Sequence, residues 1–417
     1  MKSKLFVLLL IGIMALAFVA GCGGTGDGDA DGVTTHTIVG ILPLTGVLST
    51  FGENSAEVAK LAADDVNAWL EAEGKDWTLR LEIDDDATEG PVGLTKMQSW
   101  FGEGVQIFVG PQASGVAQEM LAFANANQIL YISPSSTSPA LAIADDWLFR
   151  FCTDDNIQGP AIGALIKEAG IEHVIFGWQG DTWGDGLQGA AEASALELGV
   201  EVNSNKLRFD PMKDAFTSEA ALLDGYVTEA VASGVALDKI GFNIITFEQV
   251  VPFMVEASKY PQLSQIKWIG SDGTAFSEAL LQTPEAAQFA LDVKFANTMN
   301  KPEDGSANYA RVKDHVQELL GRETDAYSYN TYDMVWALAL CIDQVGYDSA
   351  AVKEILPEVV KEWSKDNAAS GYIELNESGD RAFANYNIVM LESLDGWFVP
   401  GFFDGLTGEI TWETPVY

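Results

Sequence analysis

Apolar positions fall along this chain in two alternating rhythms. Short apolar runs at Thr37–Leu42, Leu79–Ile83, Gln106–Val109 and Ile129–Ile132 read as strands. Between them lie longer stretches with helical spacing. Val58, Leu61, Ala62, Val66, Trp69 and Leu70 share one helical face, behind an Asn54 placed to cap the helix. Further helices are predicted from Pro91 and from Ser114. The rhythm resumes with strands at His173–Phe176, Lys239–Ile245 and Ile266–Gly270, separated by helices near 156–170, 184–198 and 216–234. Strand–helix alternation predicts parallel sheets covered on both faces, an α/β architecture.

A chain of 417 residues is too long for one ordinary core, and suits two lobes of roughly 150–200 residues each. Doubly wound sheets bind ligands beyond the carboxyl ends of their strands. The run Ile129–Pro139 ends a predicted strand in Ser133-Pro134-Ser135-Ser136-Thr137-Ser138-Pro139. Hydroxyls and loop N–H groups at such an end can point at an anion. The two prolines hold the loop extended, so little entropy is lost when a ligand arrives.

Charge narrows the partners. The formal net charge is −38, so nucleic acid and anionic membrane surfaces are repelled. A zwitterion without net charge is not. The acidic surplus also keeps the chain soluble in a salty or acidic medium.

The first residues read as a targeting segment. Lys2 and Lys4 form a positive n-region, and Leu5–Phe18 is an apolar run too short for a comfortable membrane span. Val19-Ala20-Gly21-Cys22 resembles a lipobox, which implies a signal peptide over 1–21 and lipidation of Cys22; ordinary secretory cleavage is the plainer alternative. Residues 22–35 then read as a glycine-rich tether. Cys152 and Cys341, far apart in sequence, make no disulfide framework and read as small buried hydrophobes.

Several motifs carry less than they suggest. Gly184, Gly186 and Gly189 spell a G-x-G-x-x-G, but the preceding strand ends too early for a dinucleotide turn. Asp27–Gly32 imitates a calcium loop, yet its twelfth position is Ile38 rather than Glu. His36, His173 and His315 have no metal-ligand spacing. Asp84, Asp85 and Asp86 read as a solvated turn, and Asn376-Glu377-Ser378 as a chance glycosylation sequon.

Taken together, roughly 36–400 resembles the leucine/isoleucine/valine-binding type of solute receptor, which implies the type I periplasmic-binding fold. Thr45, Gly46 and Phe51 match that family's first binding loop. Ser114 matches a serine contacting the ligand carboxylate, and Ser135, with Ser136 beside it, a main-chain contact. Thr137 matches a threonine that binds both carboxylate and ammonium. Trp183 and Phe247 stand where aromatics cover the ligand, and Asp272 where an acid pairs with the ammonium. The resemblance implies two lobes joined by a three-strand hinge: 36–153 with 293–382, and 154–292 with 383–417. The aromatic end Gly396–Gly405 departs from the pattern and has no assignment.

The residues suit the chemistry. An α-amino acid needs its carboxylate and ammonium both resolvated. Ser114, Thr137 and loop N–H groups can serve the first without a bulk positive charge, at roughly 1.5–3 kcal/mol for each bond to a charged group. Asp272 can neutralise the second. Phe51, Trp183 and Phe247, with no evident second acid, favour an apolar or aromatic side chain. Plainer readings stand beside these: Ser114 and Thr137 as cap and turn residues, Asp272 as a cap near Thr274, and the aromatics as packing. The resemblance implies a monomeric, lipid-anchored, extracytoplasmic receptor. It would deliver an amino acid, or a related amide or aromatic acid, to an ABC permease, without a cofactor, metal or catalysed reaction. The alternative is a sensing module that signals through a partner chain.

Overall fold

The computed structural model describes residues 33–394 and 396–417. The expected signal peptide, lipidated Cys22 and calcium-like run lie outside them. Strand β1 (Thr34–Leu42) begins within the expected tether: Thr34 and Thr35 pair with Trp77 and Thr78 of β2 (Trp77–Asp85). Two β-branched threonines so placed extend the strand by two residues rather than leave it as linker.

With β3 (Ile107–Val109), β4 (Leu130–Ser133) and β5 (Leu148–Arg150), these strands form a parallel sheet in the order β2-β1-β3-β4-β5. Helices α1 (Ser49–Ala72), α2 (Gly90–Gly102) and α3 (Ser114–Asn127) make the crossovers. Helix α1 starts ahead of Asn54, which is not its cap. The cap position is Leu48, and the buried Asn54 amide instead donates to Asp325 at 2.9 Å. The predicted apolar face is buried, Trp69 only partly.

The second lobe alternates in the same way. It holds α4 (Asp155–Glu168), β6 (His173–Gln179), α5 (Thr182–Glu197), β7 (Glu201–Val202), β8 (Leu207–Phe209), α6 (Thr217–Ala232) and β9 (Ile240–Ile245). Next come α7 (Val250–Ala257), β10 (Lys267–Ile269), α8 (Glu278–Leu281), α9 (Pro284–Asp292) and β11 (Ala296–Asn300). Its sheet continues past β11 through β12 (Tyr386–Ser393), β13 (Gly396–Asp404) and β14 (Glu409–Trp412), all antiparallel. The aromatic segment without an assignment is thus β13, the next-to-outermost strand of this sheet. Phe403 packs with Tyr386 under α4, and the Tyr417 hydroxyl donates to the Lys294 carbonyl. Fully buried Trp268 stands edge-on to Phe242 and Phe289 at the centre of the lobe.

Helices α10 (Ala307–Leu320), α11 (Ala326–Val345) and α12 (Ser349–Asn367) return to the first lobe and share its core with α1. The chain therefore passes between the lobes three times, at 151–154, 301–306 and 382–385. The second passage lies beyond Asn300, further along than the expected change at 293, because β11 pairs with β10 and β12. In the first sheet the strand order reverses between β1 and β3, and in the second between β6 and β9. Loops leaving those strands face each other across the interlobe cleft, where a doubly wound fold places its ligands.

Candidate ligand-binding cleft

Leu48, Phe51, Gln112, Ala113, Ser114, Ser135 and Tyr327 from the first lobe meet Trp183, Phe247, Asp272 and Gly273 from the second around one small cavity. Its volume is about 20 Å³, room for little more than one water. Hydrogen bonds between the lobes hold them together around it. The Tyr327 hydroxyl donates to Asp272 Oδ2 at 2.6 Å, and Thr50 Oγ1 to Glu248 Oε1 at 2.6 Å. Ser138 Oγ donates to the Thr182 carbonyl at 2.8 Å, and the Glu248 N–H to the Val47 carbonyl at 3.3 Å. Admission of a larger solute requires the lobes to part.

The apolar wall is a stack. Trp183 and Phe247 lie parallel, 4.5 Å between centroids, and both are buried. Trp183 sits in the first turn of α5, which Asp181 caps by accepting from the Gly184 N–H at 2.8 Å. Gly273 completes the wall because a Cβ there would stand 2.6 Å from the Trp183 ring. Gly186, from the discounted glycine motif, has a packing role instead: a Cβ there would meet Pro139 of the first lobe at 2.7 Å. Phe51 stands edge-on to Tyr327 across the cavity.

Ser114 opens α3, and Ala113 at the cap position offers no side-chain acceptor, only its carbonyl, which the Val116 N–H reaches at 3.1 Å. The N–H groups of Ser114 and Gly115 are therefore left uncapped at the cleft, with the positive end of the helix dipole. Ser114 Oγ accepts from the Ser138 N–H at 3.1 Å, which leaves its own proton to donate. The serine-rich loop is held from behind. Buried Arg150 makes a bidentate pair with Asp380 at 2.5 and 2.6 Å, and its Nη1 donates to the carbonyls of Ser136 and Ser138 at 2.7 and 2.8 Å. Ser133 Oγ accepts from the Ser135 and Ser136 N–H groups. Ser135 Oγ donates to the Gln112 carbonyl, whereas Ser136 Oγ and Thr137 Oγ1 are buried without partners. Thr137 and Ser136 lie next to the cavity's lining rather than in it.

Asp272 occupies the other end. Ser271, not Asp272, stands at the cap of the short helical turn Asp272–Thr274. The Asp272 carboxylate accepts from Tyr327 and, at 2.9 Å, from Gln158 Nε2. Burial raises its pKa, and those two bonds only partly offset the effect. Burial likewise raises Glu248.

Of the expected residues, Phe51, Ser114, Ser135, Trp183, Phe247 and Asp272 thus line one cavity, and Ser136 and Thr137 do not. Thr45 does not reach it, because its hydroxyl donates to Asp85 at 2.6 Å. The triple-aspartate stretch is not a solvated turn: Asp85 pins the Thr45 loop, Asp84 accepts from Lys96 and Trp100, and Asp86 is fully buried. Tyr327, Gln158 and Leu48 were absent from the sequence reading. Tyr327 arrives on α11 from a remote segment, and no local pattern marks it. Cys152 and Cys341 are free and buried. Among the described residues no group of His, Cys, Asp and Glu could hold a metal.

Comparison with known proteins decides the family. A family model described as periplasmic binding protein matches residues 35–393. This chain belongs to the periplasmic binding protein family. Family members are binding proteins rather than enzymes. An uncharacterised protein of Methanocaldococcus jannaschii is 30% identical over 90% of this chain and 91% of its own length. A Leu/Ile/Val-binding protein, BraC3, of Rhizobium johnstonii is 23% identical over 86% of this chain and 92% of its own. The branched-chain amino acid transporter substrate-binding protein LivJ of Streptococcus pneumoniae, solved with isoleucine, shares the fold. Its TM-score is 0.72 at 17% identity, over 91% of this chain and 99% of that one. The matched region of this periplasmic binding protein ends at the last residue of β12, so β13 and β14 lie outside the family match.

Proposed function

We propose that this protein is an extracytoplasmic receptor that captures an amino acid between its lobes and presents it to an ABC permease. Cys22, lipidated, would hold it to the outer face of the membrane. The observation that carries the reading is the polarity of the cleft: the uncapped α3 N-terminus with Ser114 at one end, and buried Asp272 at the other. A carboxylate suits the first and an ammonium the second, and in an α-amino acid they lie one carbon apart. Phe51, Trp183 and Phe247 would wall the side chain, which favours branched-chain, other apolar or aromatic solutes. Ser135, Ser136 and Thr137 would complete the carboxylate site once the lobes part and close again. The names of its relatives support the same substrate class. Closure follows differential affinity, since only the closed state lets both lobes touch the ligand.

A thermal-shift screen of the mature chain tests this, after unfolding and refolding to strip carried-over solute. Branched-chain or aromatic amino acids are expected to raise the melting temperature. A response to amides or aromatic acids alone, with none to amino acids, would refute it.

A further inference from the structure

A second cavity lies between the lobes, beside the passage at 301–306, and shares no lining residue with the cleft. Tyr309, Thr324 and Tyr329 reach it from the first lobe. Phe276, Asn300, Asn387, Trp397 and Phe398 reach it from the second. Its volume is about 260 Å³ even though the cleft is shut. Drug-sized ligands occupy about 300–1,000 Å³, so this space suits a compound of one or two fused rings.

The wall is aromatic on both sides. Tyr309 and Tyr329 stack in parallel, 4.6 Å between centroids. Across the lobe boundary, Trp397 stands edge-on to Phe276 at 6.0 Å, and Phe398 follows it on β13. Such rings take planar compounds against their faces. Trp397 and Phe398 lie beyond residue 393, where the family match ends.

The sheltered polar groups are neutral and unanswered. Asn300 is only 4% exposed, yet among the described residues nothing bonds its side-chain amide. The half-buried Asn387 amide is likewise without a partner among them. The Thr324 hydroxyl and the Trp397 indole N–H, in the same wall, are buried and unpartnered. A carboxamide presents a donor and an acceptor side by side, which the edge of a purine or pyrimidine base matches. The charged lining residues, Lys313 and Glu323, are exposed and opposite in sign. They give an anion no net attraction, and the chain's charge of −38 repels it.

We propose that this cavity is a second solute site, for a neutral planar nitrogen heterocycle of the nucleobase type, and that its occupant holds the lobes shut. Ala326 in its lining is the neighbour of Tyr327 on α11, and Phe276 follows Asp272 and Gly273 in one loop. A heterocycle here grips the two segments that the Tyr327–Asp272 bond joins. Only the shut form lets both lobes touch it, so it favours that form. By linkage it tightens the amino acid, and the amino acid tightens it. This coupling rests on the amino-acid reading above; the site itself does not.

Titration calorimetry of the refolded mature chain tests the site with adenine, hypoxanthine, uracil and cytosine, and with benzoate as an acidic ring. At least one base is expected to bind. Trp397→Ala should weaken it by about tenfold or more. Asn387→Leu should weaken it too, and removes no side-chain bond of the folded protein, so it serves where loss of the indole costs the fold. Trp183→Ala, in the cleft, should leave the base unaffected. With the base saturating, the tightest-binding amino acid should gain at least about fivefold in affinity, and gain nothing in Trp397→Ala. Binding of no base, or of benzoate alone, overturns the site. So does a base lost in Trp183→Ala and kept in Trp397→Ala and Asn387→Leu, because it lies in the cleft. Amino-acid affinity unchanged by the base overturns the coupling. A chain that binds a base and no standard amino acid refutes the amino-acid reading and leaves the site standing.

Discussion

The hydroxyl of Tyr327 lies 2.6 Å from Asp272 Oδ2, joining a helix of the first lobe to a loop of the second. The bond crosses the cleft at the point where an ammonium would bind. Tyr327 therefore stands in for part of the ligand's role: it answers the acid while the lobes are shut.

Removing that bond, and its counterpart between Thr50 and Glu248, should loosen the shut form. Each is a bond to a carboxylate, about 1.5–3 kcal/mol. The double variant Tyr327→Phe with Thr50→Val is expected to shift the ligand-free population toward separated lobes. Small-angle X-ray scattering should show a larger radius of gyration, restored by ligand. Identical scattering curves would mean that these bonds do not set closure.

Asp272→Ala should abolish amino-acid binding with the fold intact. The carboxylate is expected to bind ammonium only when ionised, and burial raises its pKa in the ligand-free protein. Affinity should therefore fall as pH drops through that raised range, and level off above it. Calorimetry from pH 4 to 8 checks the direction. Near-normal affinity in the alanine variant would remove Asp272 from the site.

The Trp183–Phe247 stack offers a second handle. Trp183→Ala should weaken binding by about tenfold or more, about 1.4 kcal/mol. Gly273→Ala should also weaken it, because the added carbon would drive into the Trp183 ring. A dissociation constant that does not move in Trp183→Ala would place the ring outside the site.

Behind the loop, Asp380→Asn leaves the Arg150 guanidinium buried without its countercharge. Loss of about 3–5 kcal/mol is expected, read from urea unfolding. A loss well under 1 kcal/mol would show that the loop carbonyls alone satisfy Arg150.

Asp86 predicts a pH dependence that does not involve ligand. Burial, with a smaller push from the nearby Asp85 charge, raises its pKa to about 7 against the opposing bond from the Thr88 N–H. Its favourable contribution is therefore full below the ordinary carboxylate range and is lost as pH rises through about 7. Asp86→Asn should raise the melting temperature at pH 8 and change it little at pH 4. An equal difference at both pH values would contradict this.

Much of this arrangement is legible along the chain. The strand–helix rhythm marks the parallel core, and the aromatic and acidic residues of the cleft stand in short motifs at strand ends. Gln158 is also in the open, in Asp154-Asp155-Asn156-Ile157-Gln158, but a glutamine near a helix start reads as an ordinary polar position. Only burial shows that it is not solvated. Tyr327 and Asp380 are illegible for a different reason. Their partners lie across long sequence separations, at Asp272 and Arg150, and periodicity reports one element at a time. The antiparallel β12–β14 edge is not legible because Pro400 and four glycines, Gly396, Gly401, Gly405 and Gly408, break its alternation.

Arg150 has no surface in contact with water. Dissolved ions have no path to it, so the attraction that fixes the backbone of Ser136 and Ser138 does not weaken in brine, as attraction between exposed charges does. A chain with 38 surplus negative charges can thus meet large swings of salinity at its surface, while the mould behind its cleft keeps one shape.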